Sequence, residues 1–99
     1  MNISKTKDAS TLTIALEGRL DTTTAPQLEG ELTTALDNVE ELIFDMTALD
    51  YISSAGLRVL LSAHKAMCTK GGMKVTHVNE IVQEVFEVTG FTDVLTIEA

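Results

Sequence analysis

One cysteine in 99 residues, Cys68, leaves no partner for an internal disulfide and no thiolate set for a multi-cysteine metal site. A reducing compartment is therefore expected. Cations are also scarce: 7 Lys and Arg stand against 15 Asp and Glu, a formal net charge of -8, which opposes a nonspecific grip on nucleic-acid phosphates or anionic lipid. No apolar run approaches the roughly 20 residues that a bilayer-spanning helix needs, and no basic-then-apolar segment opens the chain. The expected location is the cytoplasm, and the expected partners are protein surfaces, with no nucleic acid and no direct membrane insertion. A phosphate-cradling loop is missing, because Gly71-Gly72 ends an amphipathic stretch instead of opening one beside a lysine. His64 and His77 show no metal-ligand spacing with Cys68, which lies on or beside an apolar helical stripe and is expected to fill core. Repeats, linkers and low-complexity tracts are absent. The length and the 44% apolar content suit one domain over residues 1–99.

What is present is a clear succession of periodicities. Met1 and Ile3, then Leu12, Ile14 and Leu16, alternate with polar residues around the turn-like Lys7-Asp8-Ala9-Ser10, predicting a hairpin whose second strand stops at Gly18. Thr24-Ala25-Pro26-Gln27 offers a threonine N-cap, a first-turn proline and a glutamine able to close a capping box. Ala25, Leu28, Leu32, Ala35 and Leu36 then form one helical stripe. The continuous run Leu42-Ile43-Phe44 predicts a central strand covered on both faces, with Asp45 at its end. A helix from about Ser54 turns Leu57, Leu60, Leu61, His64 and Met67 or Cys68 to one side. Met73, Val75 and Val78 predict a further strand, and Asn79 caps a helix carrying Val82, Val85 and Phe86 inward. Gly90-Phe91 ends that helix, and a short strand from Val94 to Ile97 closes the chain. The order ββαβαβα(β) predicts an α/β fold: a small mixed sheet of four to five strands with three to four helices mainly on one face.

The segment Tyr51–Leu61, YISSAGLRVLL, places two serines where an apolar strand turns into an amphipathic helix. A hydroxyl there can accept a phosphate, and the free N–H groups of a first helical turn accommodate the anion. Nucleophilic catalysis by Ser54 is not expected. A nucleophile elbow needs glycines two residues to either side of the serine, and Ile52 occupies the earlier position. His64 lies about 15 Å along the same predicted helix, beyond proton-transfer reach, and His77 reads as a strand-end histidine. The chain is therefore read as no enzyme and as needing no cofactor of its own. Asp21 precedes the first helix, and the topology brings its loop and the serine loop to one end of the sheet, where α/β folds gather binding residues.

Gly18-Arg19-Leu20-Asp21, the Leu42 to Asp45 strand and above all Ile52-Ser53-Ser54-Ala55-Gly56-Leu57 resemble the STAS domain, the fold of bacterial anti-sigma-factor antagonists, over nearly the whole chain. The resemblance implies a protein that, unphosphorylated, binds an anti-sigma factor with serine kinase activity and so frees the sigma factor. Phosphorylation of Ser54 ends that binding. ATP and Mg²⁺ are then the kinase's, and a serine phosphatase reverses the modification. The implied docking surface comprises Asp21, Thr22, Ser53, Ser54, Gly56, Leu57 and Arg58. Ser53 stands where the best-known antagonists carry Asp, which offers a second candidate acceptor, and Ala55 stands where they carry a second hydroxyl. The family also includes nonswitching adaptors of ABC-type lipid transporters and of sensory scaffolds, the alternative reading.

Overall fold

The computed structural model describes residues 1–98. Alternating polar and apolar residues build β1 (Asn2–Asp8) and β2 (Thr11–Leu20), an antiparallel pair joined through Ala9, whose φ of 55° is left-handed. Helix α1 (Ala25–Ala35), β3 (Glu41–Ile52), α2 (Ser54–Met67), β4 (Met73–Thr76) and α3 (Glu80–Thr89) follow. A 3₁₀ turn (Phe91–Asp93) leads to β5 (Thr96–Glu98). The sheet order is β1-β2-β3-β4-β5, parallel from β2 onward. Each parallel crossover carries one helix, and right-handed crossovers between neighbouring strands put all three on the same face. Leu12, Ile14 and Leu16 of β2, Phe44 of β3 and Val75 of β4 are buried with Leu28, Leu60, Val82 and Phe86 of the helices in one core.

The long strand β3 departs from expectation. It runs twelve residues instead of three, and it is covered on one face only: Leu42, Phe44 and Met46 are buried while Ile43 and Asp45 are half-buried on the open side. Its next buried positions, Leu49 and Ile52, come three apart instead of two. The register against β2 shifts between Ala15 and Glu17 and again between Gly18 and Arg19. Each shift inserts one extra β3 residue and so turns the inward position by one. On β2, Leu12, Ile14, Leu16 and Leu20 keep a spacing set by simple alternation. That strand continues through Gly18, which adopts φ 105° within it.

Asp45 consequently lies inside β3, opposite Thr76 of β4, rather than at the strand's end. Its Oδ1 accepts from the Thr47 hydroxyl at 2.6 Å and the Thr47 N–H at 3.0 Å, and lies 3.5 Å from His77 Nδ1. The hydroxyl bond leads in holding its pKa below the ordinary aspartate value, followed by the amide bond, with the His77 charge adding less.

Along α2 the buried set is Gly56, Leu57, Val59, Leu60, Ala63 and Met67. Leu61 and His64 are only half-buried and Cys68 is exposed, because the helix packs on α1 as well as on the sheet. Cys68 therefore does not fill core. Val78 follows the end of β4, and β5 starts at Thr96, two residues later than the periodicity suggested. Leu60 is fully buried between helix and sheet. Leu60→Ala is expected to cost about 2–5 kcal/mol of unfolding free energy, read as a fall in the urea midpoint.

Candidate functional site

Strands β2 and β3 end side by side, and this sets the site. Arg19 pairs with Tyr51 and Leu20 with Ile52, and the Ser53 N–H donates to the Leu20 carbonyl at 2.9 Å, carrying the ladder one step past the sheet. The Asp21 turn and the start of α2 are thereby held against each other.

Asp21 organises its own turn. Its Oδ1 accepts from the Thr23 hydroxyl at 2.7 Å, the Thr23 N–H at 3.0 Å and the Thr24 N–H at 3.2 Å, while its carbonyl accepts from the Ala25 N–H at 2.7 Å. The expected Thr24 capping box does not form. Thr24 Oγ1 instead accepts from the Asp21 N–H and donates to the Arg19 carbonyl, both at 2.8 Å, and the Gln27 amide donates to the Met1 carbonyl. The Asp21 carboxylate thus closes the turn that precedes α1, with charge-assisted bonds to the Thr23 and Thr24 N–H groups, while its backbone carbonyl takes the first helical N–H, that of Ala25. The Thr23 hydroxyl leads in keeping the Asp21 pKa below its ordinary value, with the Thr23 and Thr24 N–H groups adding to it. Arg19 completes the turn: its Nε lies 3.7 Å from Asp21 Oδ2 and its guanidinium stacks 4.6 Å from the Tyr51 ring centroid.

Ser53 is the N-cap of α2, with extended backbone and its Oγ accepting from the Gly56 N–H at 3.5 Å. Ser54 is the first helical residue and is exposed, as is Arg58 one turn later. Gly56 is a matter of space. A Cβ there would stand 2.7 Å from Leu20 Cγ and 2.9 Å from Ile52 Cγ1, so only glycine lets the first turn settle onto the ends of the two strands. Of the residues singled out from sequence, Thr22, Ser54 and Arg58 are exposed and Asp21 and Ser53 half-buried. Gly56 and Leu57 lie beneath the surface and act by positioning their neighbours.

A shallow groove of about 210 Å³ runs between α1 and α2 beside this surface, lined by Thr22, Pro26, Glu29, Ala55, Arg58 and Ser62. Sequence reading passed over Pro26, Glu29 and Ser62. Their signal was helical spacing, since Ser62 falls one turn after Arg58 and Glu29 one turn after Pro26. Both histidines are engaged elsewhere, His64 Nε2 at 3.6 Å from Cys68 Sγ and His77 with Asp45. Among the described residues, no group of three or more His, Cys, Asp or Glu is placed to hold a metal ion, and no helix is long and apolar enough to cross a membrane.

Two measurements test this construction. Gly56→Ala should destabilise the fold by about 1–3 kcal/mol through overpacking against Leu20, and because Leu20→Ala removes the atoms it meets, the double variant should lose less than the sum of the two single losses. The Asp21 carboxyl should titrate below 3.8 by NMR and move upward in Thr23→Val. Because the folded value is depressed, the turn's contribution is fully present above the ordinary value and is lost as pH falls through the folded one.

The STAS domain profile matches residues 2–99. The chain is 36% identical over 99 residues to BtrV of Bordetella bronchiseptica, named as a candidate anti-sigma factor antagonist, an alignment covering 98% of this chain and 85% of that protein. It is 24% identical over 100 residues to the anti-sigma-B factor antagonist of Bacillus subtilis, covering 100% of this chain and 92% of the relative. Among solved structures, SpoIIAA in its unphosphorylated form superposes with a TM-score of 0.85 at 20% identity, covering 99% of this chain and 88% of that one. The fold, the end-to-end profile match and the identity to BtrV together make this chain a member of the STAS domain family.

Proposed function

We propose that this chain is an anti-sigma-factor antagonist. With Ser54 unmodified it binds an anti-sigma factor that is also a serine kinase, and the sigma factor is released. Transfer of the ATP γ-phosphoryl group to Ser54 Oγ, with loss of the hydroxyl proton and departure of ADP, ends the binding. The kinase supplies ATP and Mg²⁺, a serine phosphatase restores the hydroxyl, and the exchange takes place in the cytoplasm. The observation that carries this reading is the exposed Ser54 hydroxyl on the first turn of α2, beside the Asp21 turn and away from both histidines. A serine without a base is a poor nucleophile of its own and a suitable acceptor for a kinase that brings one. The names of the Bordetella and Bacillus relatives support the same reading.

Ser54 is the acceptor rather than Ser53, because Ser53 Oγ is committed to the Gly56 N–H and modification there would remove the cap of α2. A phosphate on Ser54 adds about 1.5 to 2 negative charges at the docking surface, where Asp21 already stands. Desolvating that anion under a partner opposes docking, while in the free protein the first-turn N–H groups of α2 accommodate it. Asp21, Thr22 and Arg58 are the side chains offered to the partner. No catalytic role is assigned to the chain.

Incubation with the cognate kinase and ATP should add one phosphate, at Ser54 by peptide mass spectrometry, to a protein that stays folded. Ser54→Ala should resist phosphorylation and still bind, and Ser54→Asp should fold and bind weakly. Phosphate on Ser53, or a phosphorylated form that binds as tightly as before by calorimetry, would favour a nonswitching adaptor.

A further inference from the structure

Helix α3 carries more apolar surface than the sheet covers. At about 100° per residue, Val88, Ile81, Val85, Thr89, Val82 and Phe86 follow one another around roughly 160° of the helix, and Glu84, Glu80, Glu87 and Gln83 fill the remainder. Val82 and Phe86 are fully buried, whereas Ile81 is 59% and Val88 80% exposed, with half-buried Val85 between them. The other helices expose no large aliphatic side chain. Their exposed positions are polar, such as Glu29, Thr33 and Thr34 on α1 and Arg58, Ser62 and Lys65 on α2, or small, such as Gly30 and Ala66, apart from Pro26 in the first turn of α1. Isolated exposed aliphatics are ordinary, but Ile81, Val85 and Val88 stand one turn apart on one ridge, bordering a depression of about 260 Å³ shared with Glu84 and Thr89.

The charge on α3 itself has one sign. The helix carries Glu80, Glu84 and Glu87 and no Lys or Arg, and Glu84 borders the depression. A second copy of the chain would set these acids against themselves, and an anionic membrane would be repelled. The complementary occupant has an apolar strip with cations beside it. We propose that the outer face of α3 is a second docking surface, which takes an amphipathic helix of another protein whose apolar stripe is flanked by Lys or Arg. Spacing of i, i+4 and i+7 on α3 matches the ridge of a helix laid alongside it. A chain built this way can hold one protein at the Ser54 end and another along α3.

The test needs only the isolated protein, ¹⁵N-labelled, and a synthetic amphipathic helix with leucines at i, i+4 and i+7 and lysines on both flanks. Saturable amide shifts should centre on Ile81, Val85 and Val88, and Val88→Glu should weaken binding at least about tenfold. The Val88 side chain is 80% exposed, so the variant should keep its amide spectrum outside α3. The proposal is overturned by no saturable shift, by shifts centred elsewhere, or by equal binding of a peptide with the same composition and scrambled leucines. Concentration-dependent dimerisation abolished by Val88→Glu, or flotation with phosphatidylserine vesicles through α3, would assign the face to a second copy or to lipid and would equally overturn it.

Discussion

The parallel alignment of Leu20 with Ile52, prolonged by the Ser53 N–H on the Leu20 carbonyl, is the constraint on which the functional end of this domain depends. It fixes where α2 begins. Gly56 then allows that helix to rest directly on the two strand ends, so that Ser54 emerges on the surface while Leu57 and Leu60 turn into the core. Any side chain at position 56 would lift the first turn and with it the serine. Two β3 bulges serve the same end, since without them Leu49 and Ile52 would not both face inward.

Local electrostatics at this end follow from short hydrogen-bonded turns rather than from burial. Asp21 stays ionised because hydroxyl and amide donors converge on its carboxylate, and its charge in turn stabilises the start of α1. Asp45 uses the same device with Thr47 on the open face of the sheet, beside His77. The two acids are thus chemically alike but placed apart, one at the strand ends and one in mid-strand. In a protein of net charge -8, an added phosphate deepens an excess of negative charge, and it does so beside Asp21. Arg19, stacked on Tyr51 at the end of β2, and Arg58, on the second turn of α2, are cations beside that surface.

The helical layer differs from one helix to the next. Helices α1 and α2 pack on each other and show polar outer faces, whereas α3 packs on β3 and leaves part of its apolar arc uncovered. The opposite side of the sheet carries Thr13, Asp45, Lys74 and Thr76 around the half-buried Ile43, with Lys74 near Glu41 at 3.9 Å. An uncovered polar sheet face is stable because its backbone groups are already paired within the ladders.

The sequence alone determined the order of elements, the helix stripes of Leu28 and Leu32, Leu57 and Leu60, and Val82 and Phe86, and the serine at the strand-to-helix junction. These are local periodicities and local capping choices, such as Asn79 accepting from the Val82 N–H, and they do not depend on distant residues. Tertiary structure decided the rest. A bulge is a mismatch between two strands, so the length of β3 and the placement of Asp45 are properties of its pairing with β2, not of its own residues. Thr24 remains the N-cap residue of α1 but makes no side-chain cap, because the chain reversal at Asp21 brings its hydroxyl to the Asp21 N–H and the Arg19 carbonyl instead. Cys68 lost its expected burial to Val59 and Ala63 because α2 faces two neighbours, and a single helix's periodicity records only that an apolar face exists, not how many surfaces it meets.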